Sequence, residues 1–277
     1  MYAGRFKDKT ILVTGGTSGL GKAITEGFAA EGGRVFFLGR NKKAGTEIEE
    51  ALKKSGYDAT YLICDITIAD EISGAVRAAE EKTGHIDVLV NNAGVSSRGS
   101  VVSTDLEDWQ RTFDVNLQAP FLFMRAAIPA MKESGGGSII NIASVAGKVT
   151  IPGGAAYCAT KAALIHLSKQ VANDFGPDRV RCNVVCPGLF NTNMNEEEIG
   201  ILAKEYGVDA ATFITEAYSD IPAGKPAKPE KIYGLISYLA SEEASYVTGA
   251  ELVIDGGLTT VDPYMSGINK AKIKFGK

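Results

Sequence analysis

Apolar residues in this chain fall into short, unbroken runs, and the stretches between them carry helical spacing. The runs are residues 10–14 (TILVT), 35–38 (VFFL), 59–64, 86–90 (IDVLV), 138–142 (SIINI), 180–186 (VRCNVVC) and 251–254 (ELVI). Helical patterns cover residues 20–30, 41–54, 69–82, 106–132, a segment around Tyr157, and 229–240. A strand that is apolar on both sides has no solvent face, so it belongs in a parallel sheet sandwiched between helices. Strict alternation of such strands with helices predicts an α/β fold: one doubly wound domain over 1–277, with a seven-stranded parallel sheet and helices on both faces. No repeat or linker divides the alternation.

Two stretches fall outside it. Residues 193–219 form an insertion before the helix at 229, and they read as a two-helix lid over a site. Met194, Ile199, Leu202, Tyr206, Phe213, Ile214 and Tyr218 would make its apolar inner face, while Glu196 to Glu198 read as a solvated helix start. Residues 258–277 follow the final strand, and Lys270, Lys272, Lys274 and Lys277 mark them as a basic tail or an arm onto a neighbouring subunit.

Composition narrows the function. Hydrophobic residues at 45% and charged residues at 22% are ordinary for a globular protein with a core. A net charge of −4 and a pI near 5.4 leave no general basic field for nucleic acid. The N-terminus has no apolar signal segment and no run is long enough to span a membrane, which implies a cytoplasmic protein. Cys64, Cys158, Cys182 and Cys186 form no C-x-x-C pair and read as free thiols. With only His85 and His166 available, neither a zinc site nor a histidine-based hydrolase is expected, and no metal is called for.

Candidate chemistry begins after the first strand, at Thr14-Gly15-Gly16-Thr17-Ser18-Gly19-Leu20-Gly21. Gly15, Gly19 and Gly21 would permit a tight turn and close approach of backbone to a pyrophosphate at a helix N-terminus, as in Rossmann-type dinucleotide sites. The spacing is G-x-x-x-G-x-G rather than the general fingerprint. The second strand ends Leu38-Gly39-Arg40-Asn41, without the acid that reads the ribose 2′-hydroxyl of NAD. A guanidinium there suits a 2′-phosphate, so Arg40 favours NADP(H) over NAD(H). A second basic residue within the turn is missing, since Ser18 stands there.

Tyr157 and Lys161 stand four residues apart on a helical pattern, on one face and one turn apart. An ammonium beside a phenol favours phenolate and brings tyrosine, normally near ~10, towards the range of a proton-transfer catalyst. Such a pair by itself usually means a half-buried ring beside a solvated charge.

Taken in order, TGGTSGLG at 14–21, Asp65-Ile66, NNAG at 91–94, Asn116, Ser144, Y-C-A-T-K at 157–161, Pro187-Gly188 and Asp255-Gly256-Gly257 resemble the short-chain dehydrogenases/reductases in their common ~250-residue form. The resemblance covers residues 9–257. It implies that Gly15, Thr17, Ser18, Gly19, Leu20 and Gly21 form the cofactor turn, and that Asp65 and Ile66 hold the adenine. Asn92, Ala93 and Gly94 would then line the ribose region, with Pro187, Gly188, Phe190 and Thr192 around the nicotinamide carboxamide. It further implies a catalytic tetrad. Tyr157 is the general acid or base, and Lys161 tunes it and grips the nicotinamide ribose. Ser144 donates to the substrate oxygen, and Asn116 kinks its helix and seats a proton-relay water.

Ser96, Ser144, Val145, Tyr157, Gly188, Phe190 and Met194 would wall a mainly apolar substrate pocket, with Val95 and Arg98 nearby. The expected activity is interconversion of a small ketone and a secondary alcohol, by a homo-oligomer, either tetramer or dimer. The alternatives are a 3-oxoacyl carrier-protein reductase and a non-catalytic NADP(H)-binding regulator. For the carrier reading, Gly135 and Asp178 occupy the places where similar reductases carry arginines, with Arg179 and Arg181 close by.

Overall fold

The structure is a computed structural model, and it describes residues 4–219 and 221–261. Seven strands, β1 (Thr10–Val13), β2 (Arg34–Gly39), β3 (Ala59–Ile63), β4 (Val88–Asn91), β5 (Gly137–Ile142), β6 (Val180–Pro187) and β7 (Glu251–Ile254), form one parallel sheet. Its order is β3-β2-β1-β4-β5-β6-β7, as the alternation predicts. The chain builds outward from β1 to β3, then returns to place β4 on the other side of β1. At such a reversal the connections leave in opposite directions and a crevice opens beyond the strand ends.

Each apolar run divides its side chains between two cores. Ile11 and Val13 join Ile24 and Phe28 of α1 (Gly19–Ala30), Ile48 of α2 (Lys42–Lys54) and Ile236 of α9 (Tyr233–Ala240). Leu12, between them, faces Ile72 of α3 (Ala69–Thr83), Phe123 of α5 (Ala119–Glu133) and Val171 of α6 (Ala155–Phe175). Each such side chain contributes ~1.5–3 kcal/mol by leaving water. A one-residue slip would exchange the two faces, so the register is held firmly.

Two expectations are corrected. The helix read over 106–132 is not continuous: α4 (Leu106–Phe113) and α5 are joined by a π-helical turn at Asp114–Gln118. The widened turn contains Asn116, fully buried, whose amide pairs with the Val95 backbone. Hydrophobic spacing could not show the insertion, because the apolar face resumes after the extra residue.

The second correction concerns the lid, which is the expected helix pair, α7 (Asn193–Glu205) and α8 (Ala210–Tyr218). Ile199 and Tyr218 are buried, with Ile221, Leu189, Phe213 and Leu258 around them. Of the expected inner face, Met194, Ile199, Leu202, Tyr206, Phe213 and Tyr218 line the cavity beneath the lid, whereas Ile214 does not line it and is 38% exposed. Residues 258–260 form a short 3-10 turn, and the lysines from Lys270 onward lie outside the described residues.

Candidate active site

The carboxyl ends of β1, β2, β4, β5 and β6 open into one cavity of about 1070 Å³, roofed by α7 and α8. Beyond β1 the chain turns through Gly15 (φ +65°) and Gly19 (φ +50°) into the start of α1. A Cβ at Gly21 would stand 2.1 Å from Gly15 O, and one at Gly15 would stand 2.9 Å from Ala93 Cα. Gly16, which the spacing had not singled out, is equally constrained, since a Cβ there would lie 2.6 Å from Phe37 Cβ.

The turn is braced from β4. The Asn92 amide donates to Thr14 O at 2.9 Å and Gly15 O at 3.3 Å, and Thr14 Oγ1 accepts from the Asn92 and Ala93 N–H groups at 2.9 and 3.0 Å. Asn92 thus supports the turn as well as lining the cavity. At the N-terminus of α1, Ser18 makes no side-chain cap, so the first N–H groups face the cavity without one.

Ser144, Tyr157 and Lys161 meet on the floor. Ser144 lies two residues beyond the end of β5, with its Oγ accepting from Ala146 N–H at 3.1 Å and hydrogen-bonding the Tyr157 phenol. Tyr157 and Lys161 stand one turn apart near the start of α6, with Lys161 Nζ 5.7 Å from the Tyr157 ring centroid. The ammonium donates to Ile142 O at 3.0 Å. Asn116 joins from behind: its amide donates to Val95 O at 2.9 Å and to Thr160 Oγ1 at 3.4 Å, and its Oδ1 accepts from Val95 N–H at 2.9 Å. A Cβ at Gly94 would touch both Asn116 Oδ1 and Lys161 Nζ, at 3.3 and 3.4 Å.

The electrostatics differ from the expectation that Lys161 depresses Tyr157. Burial pushes the phenol above its ordinary value, the Ser144 hydrogen bond works against this, and the Glu198 and Cys158 charges add to the rise. Burial also drives Lys161 down to about 8, partly offset by Cys186. An ammonium taken from water with one carbonyl for a partner is itself destabilised, which limits its hold on the phenol.

The remaining expected residues divide by place. Arg40 and Asp65 flank the far end of the cavity. Among the described residues Arg40 makes no hydrogen bond or ion pair. Asp65 Oδ1 accepts from Thr67 N–H and Oγ1 at 3.0 and 2.8 Å, and these bonds, with the Arg40 charge, hold its carboxyl below the usual range. Thr17, Leu20, Ile66, Ser96, Val145, Pro187, Gly188, Phe190, Thr192 and Met194 all line the cavity. Phe190 belongs mainly to the core at 4% exposure, and the Thr192 hydroxyl caps α7 by accepting from Asn195 N–H. Arg98 is exposed and bonds Glu205 of α7 at 3.2 Å.

A family model described as enoyl-(acyl carrier protein) reductase matches residues 15–259. Trans-4-hydroxycyclohexanecarboxylate dehydrogenase of Sinomonas cyclohexanicum is 38% identical over 92% of this chain and 94% of its own. Cyclopentanol dehydrogenase of a Comamonas species is 35% identical over 92% of this chain and 99% of its own. A Beutenbergia cavernae chain solved with NADP bound at low occupancy superposes with a TM-score of 0.84 at 31% identity, covering 92% and 98%. The chain belongs to the short-chain dehydrogenase/reductase family.

Its cavity has the shape that a nicotinamide dinucleotide, the cofactor of this family, requires. Gly15 and Gly21, whose Cβ atoms would collide with neighbouring backbone, form a cradle beside an open helix N-terminus, and a basic side chain stands at the end of β2. As a short-chain dehydrogenase/reductase the protein is an oxidoreductase. Sequence reasoning missed many of its cavity residues, Arg111 and Ile151 among them, and read Glu198 as part of a solvated helix start. For Glu198 a signal existed: it lies four residues from both Met194 and Leu202, on one face of α7. Arg111 and Ile151 left none, because the π turn and the loop after β5 place them.

Proposed function

We propose that this protein interconverts a small ketone and its secondary alcohol with NADP(H), using Tyr157, Ser144, Lys161 and Asn116. The observation that carries the reading is the convergence of Ser144, Tyr157 and Lys161 on the floor of the cavity that the glycine cradle opens into. The relatives named for cyclic alcohols and the largely apolar lining support a cyclic or aliphatic substrate.

In this reading the substrate oxygen sits between the Ser144 hydroxyl and the Tyr157 phenol. Ser144 donates a hydrogen bond to it from a fixed position, which stabilises charge building on oxygen. Tyr157 protonates that oxygen in reduction and removes the alcohol proton in oxidation. The bound nicotinamide supplies or accepts the hydride. Lys161 and Asn92 would hold its ribose side, and Thr192 with the backbone at 187–190 its carboxamide. Asn116 fixes the Val95 peptide and stands next to Lys161 across Gly94, where it can pass protons onward through solvent. Closure of α7 and α8 keeps water from the reacting centre.

Arg40 supports NADP(H), since the guanidinium is unengaged and no acid ends β2. Exchange for NADPH and NADH affinity tests it: Arg40→Asp should weaken NADPH by about 10-fold or more and NADH little. The carrier-bound alternative has little support. Arg181 spends its guanidinium on Val247 O and Ser241 O, and Asp178 pairs with Lys132.

Self-association through α4–α6 is part of the proposal. A second cavity of about 750 Å³ there is lined by Trp109, Phe113, Leu117, Phe121 and Leu167, apolar surface that a second copy would cover. The deciding experiment is turnover of a ketone and alcohol panel by wild type and Tyr157→Phe. Loss of about 10²–10⁴-fold on substitution is expected, and unchanged turnover overturns the mechanism.

A further inference from the structure

Glu198 is a carboxylate without an evident structural task. It lies on α7 with Met194 and Leu202 one turn to either side, and all three line the catalytic cavity. The side chain is half-buried, and among the described residues it makes no hydrogen bond and no ion pair. Its neighbours are already committed. Arg98 is held by Glu205, and the Asn195 amide donates to the Tyr218 hydroxyl at 2.9 Å. The charge of Glu198 is felt at both Tyr157 and Tyr218, which places it towards the reacting centre rather than at the outer rim. Withdrawing a carboxylate from water without donors is costly, and a donor group on a bound molecule offsets that cost.

Three kinds of polar group could arrive there. A substrate carboxylate would meet like charge and is disfavoured. An ammonium would share the cavity with the cationic side chains of Arg40, Arg98, Arg111 and Lys161. A hydroxyl carries neither burden.

We propose that Glu198 is a specificity-determining residue that accepts a hydrogen bond from a second hydroxyl of the substrate, so that the preferred substrates are neutral diols or polyols and their hydroxyketones. This rests on the dehydrogenase reading above and adds to it the substrate class. The reacting hydroxyl occupies Ser144 and Tyr157, and the second hydroxyl reaches the lid. The substrate therefore fixes α7 as it binds. A monofunctional alcohol such as cyclopentanol would leave Glu198 unpaired on closure.

The test compares cyclohexanol, the positional isomers of cyclohexanediol, hydroxycyclohexanecarboxylate and aminocyclohexanol in wild type, Glu198→Gln and Glu198→Ala. The ratio of kcat/KM for the best diol to that for cyclohexanol should fall about 10- to 100-fold in Glu198→Ala, the range of a hydrogen bond to a charged group. Glu198→Gln, which can still accept, should fall between the two, and the carboxylate substrate should improve in both variants. Melting temperatures report that the variants are folded. An unchanged ratio overturns the proposal, as does a preference for aminocyclohexanol that disappears with Glu198. Binding of the diols to the cofactor-loaded protein, followed by ligand NMR, reads the same contact without turnover. Equal binding by wild type and Glu198→Ala would overturn the Glu198 role even if the dehydrogenase reading itself had failed on cyclohexanol.

Discussion

At Lys161 the fold holds an ammonium almost out of water, at 4% exposure, with Ile142 O as its hydrogen-bond acceptor. Its fall from 10.5 to about 8 corresponds to about 3 kcal/mol against folding while the group is charged in both states. The cost is complete below pH 8. Between pH 8 and 10.5 the unfolded chain keeps a proton that the native state has lost, so stability from this group rises with pH until the cost vanishes. Lys161→Met should therefore stabilise the cofactor-free protein at neutral pH by about 2 kcal/mol, after about 1 kcal/mol for the lost hydrogen bond. The gain should disappear towards pH 10.5. Chemical denaturation at two pH values checks this, and a destabilised variant would show that the lysine is structural.

The raised Tyr157 phenol has a kinetic counterpart. Oxidation needs the phenolate, so kcat/KM for the alcohol should climb as pH rises towards the ordinary phenol range near ~10, while reduction should not. A pH profile of both directions decides it.

Among the elements, the turn into α1 and the lid are tuned differently. The glycine turn is rigid by collision. Gly21→Ala would drive a Cβ into Gly15 O, costing about 1–3 kcal/mol by overpacking and lowering dinucleotide affinity more than substrate affinity. Thermal melts with and without cofactor separate the two effects. The lid is held by lighter means: the Arg98–Glu205 pair, the Thr192 cap, and the small Ile199–Tyr218–Ile221 cluster. The ion pair is 34% and 56% exposed, so it contributes only about 0–1 kcal/mol. Arg98→Ala should leave the melting temperature nearly unchanged, speed amide exchange in α7, and raise KM at low salt but not at high salt.

For the molecule as a whole, the exposed apolar face on α4 and α5 is the feature a monomer explains least. Trp109 is 38% exposed and Phe121 46%, beside a groove that also takes in His166 of α6. Phe121→Glu should convert the assembled species to a smaller one in light scattering, at unchanged secondary structure. A wild-type protein that is already monomeric would remove the self-association reading. No helix among the described residues is long and apolar enough to cross a membrane, and no cluster there could hold a metal ion.

The sheet was legible from the chain because parallel strands buried on both faces leave unbroken apolar runs, as at 35–38 and 180–186, and because Thr14 to Gly21 must turn where side chains cannot fit. The order of motifs from Gly15 to Gly257 likewise identified the family. Local spacing could not reveal the π turn at Asn116, since its apolar face continues past the insertion. Nor could it reveal that Lys161 is weakened by its own burial, that Arg98 is paired across to Glu205, or that Glu198 turns inward. Those depend on which strand ends and helices the fold brings within a few ångströms of one another, and burial there changes the charge a residue can hold. Composition and periodicity carry the layers of the sheet; the balance of charge inside the cavity exists only once those layers have closed over it.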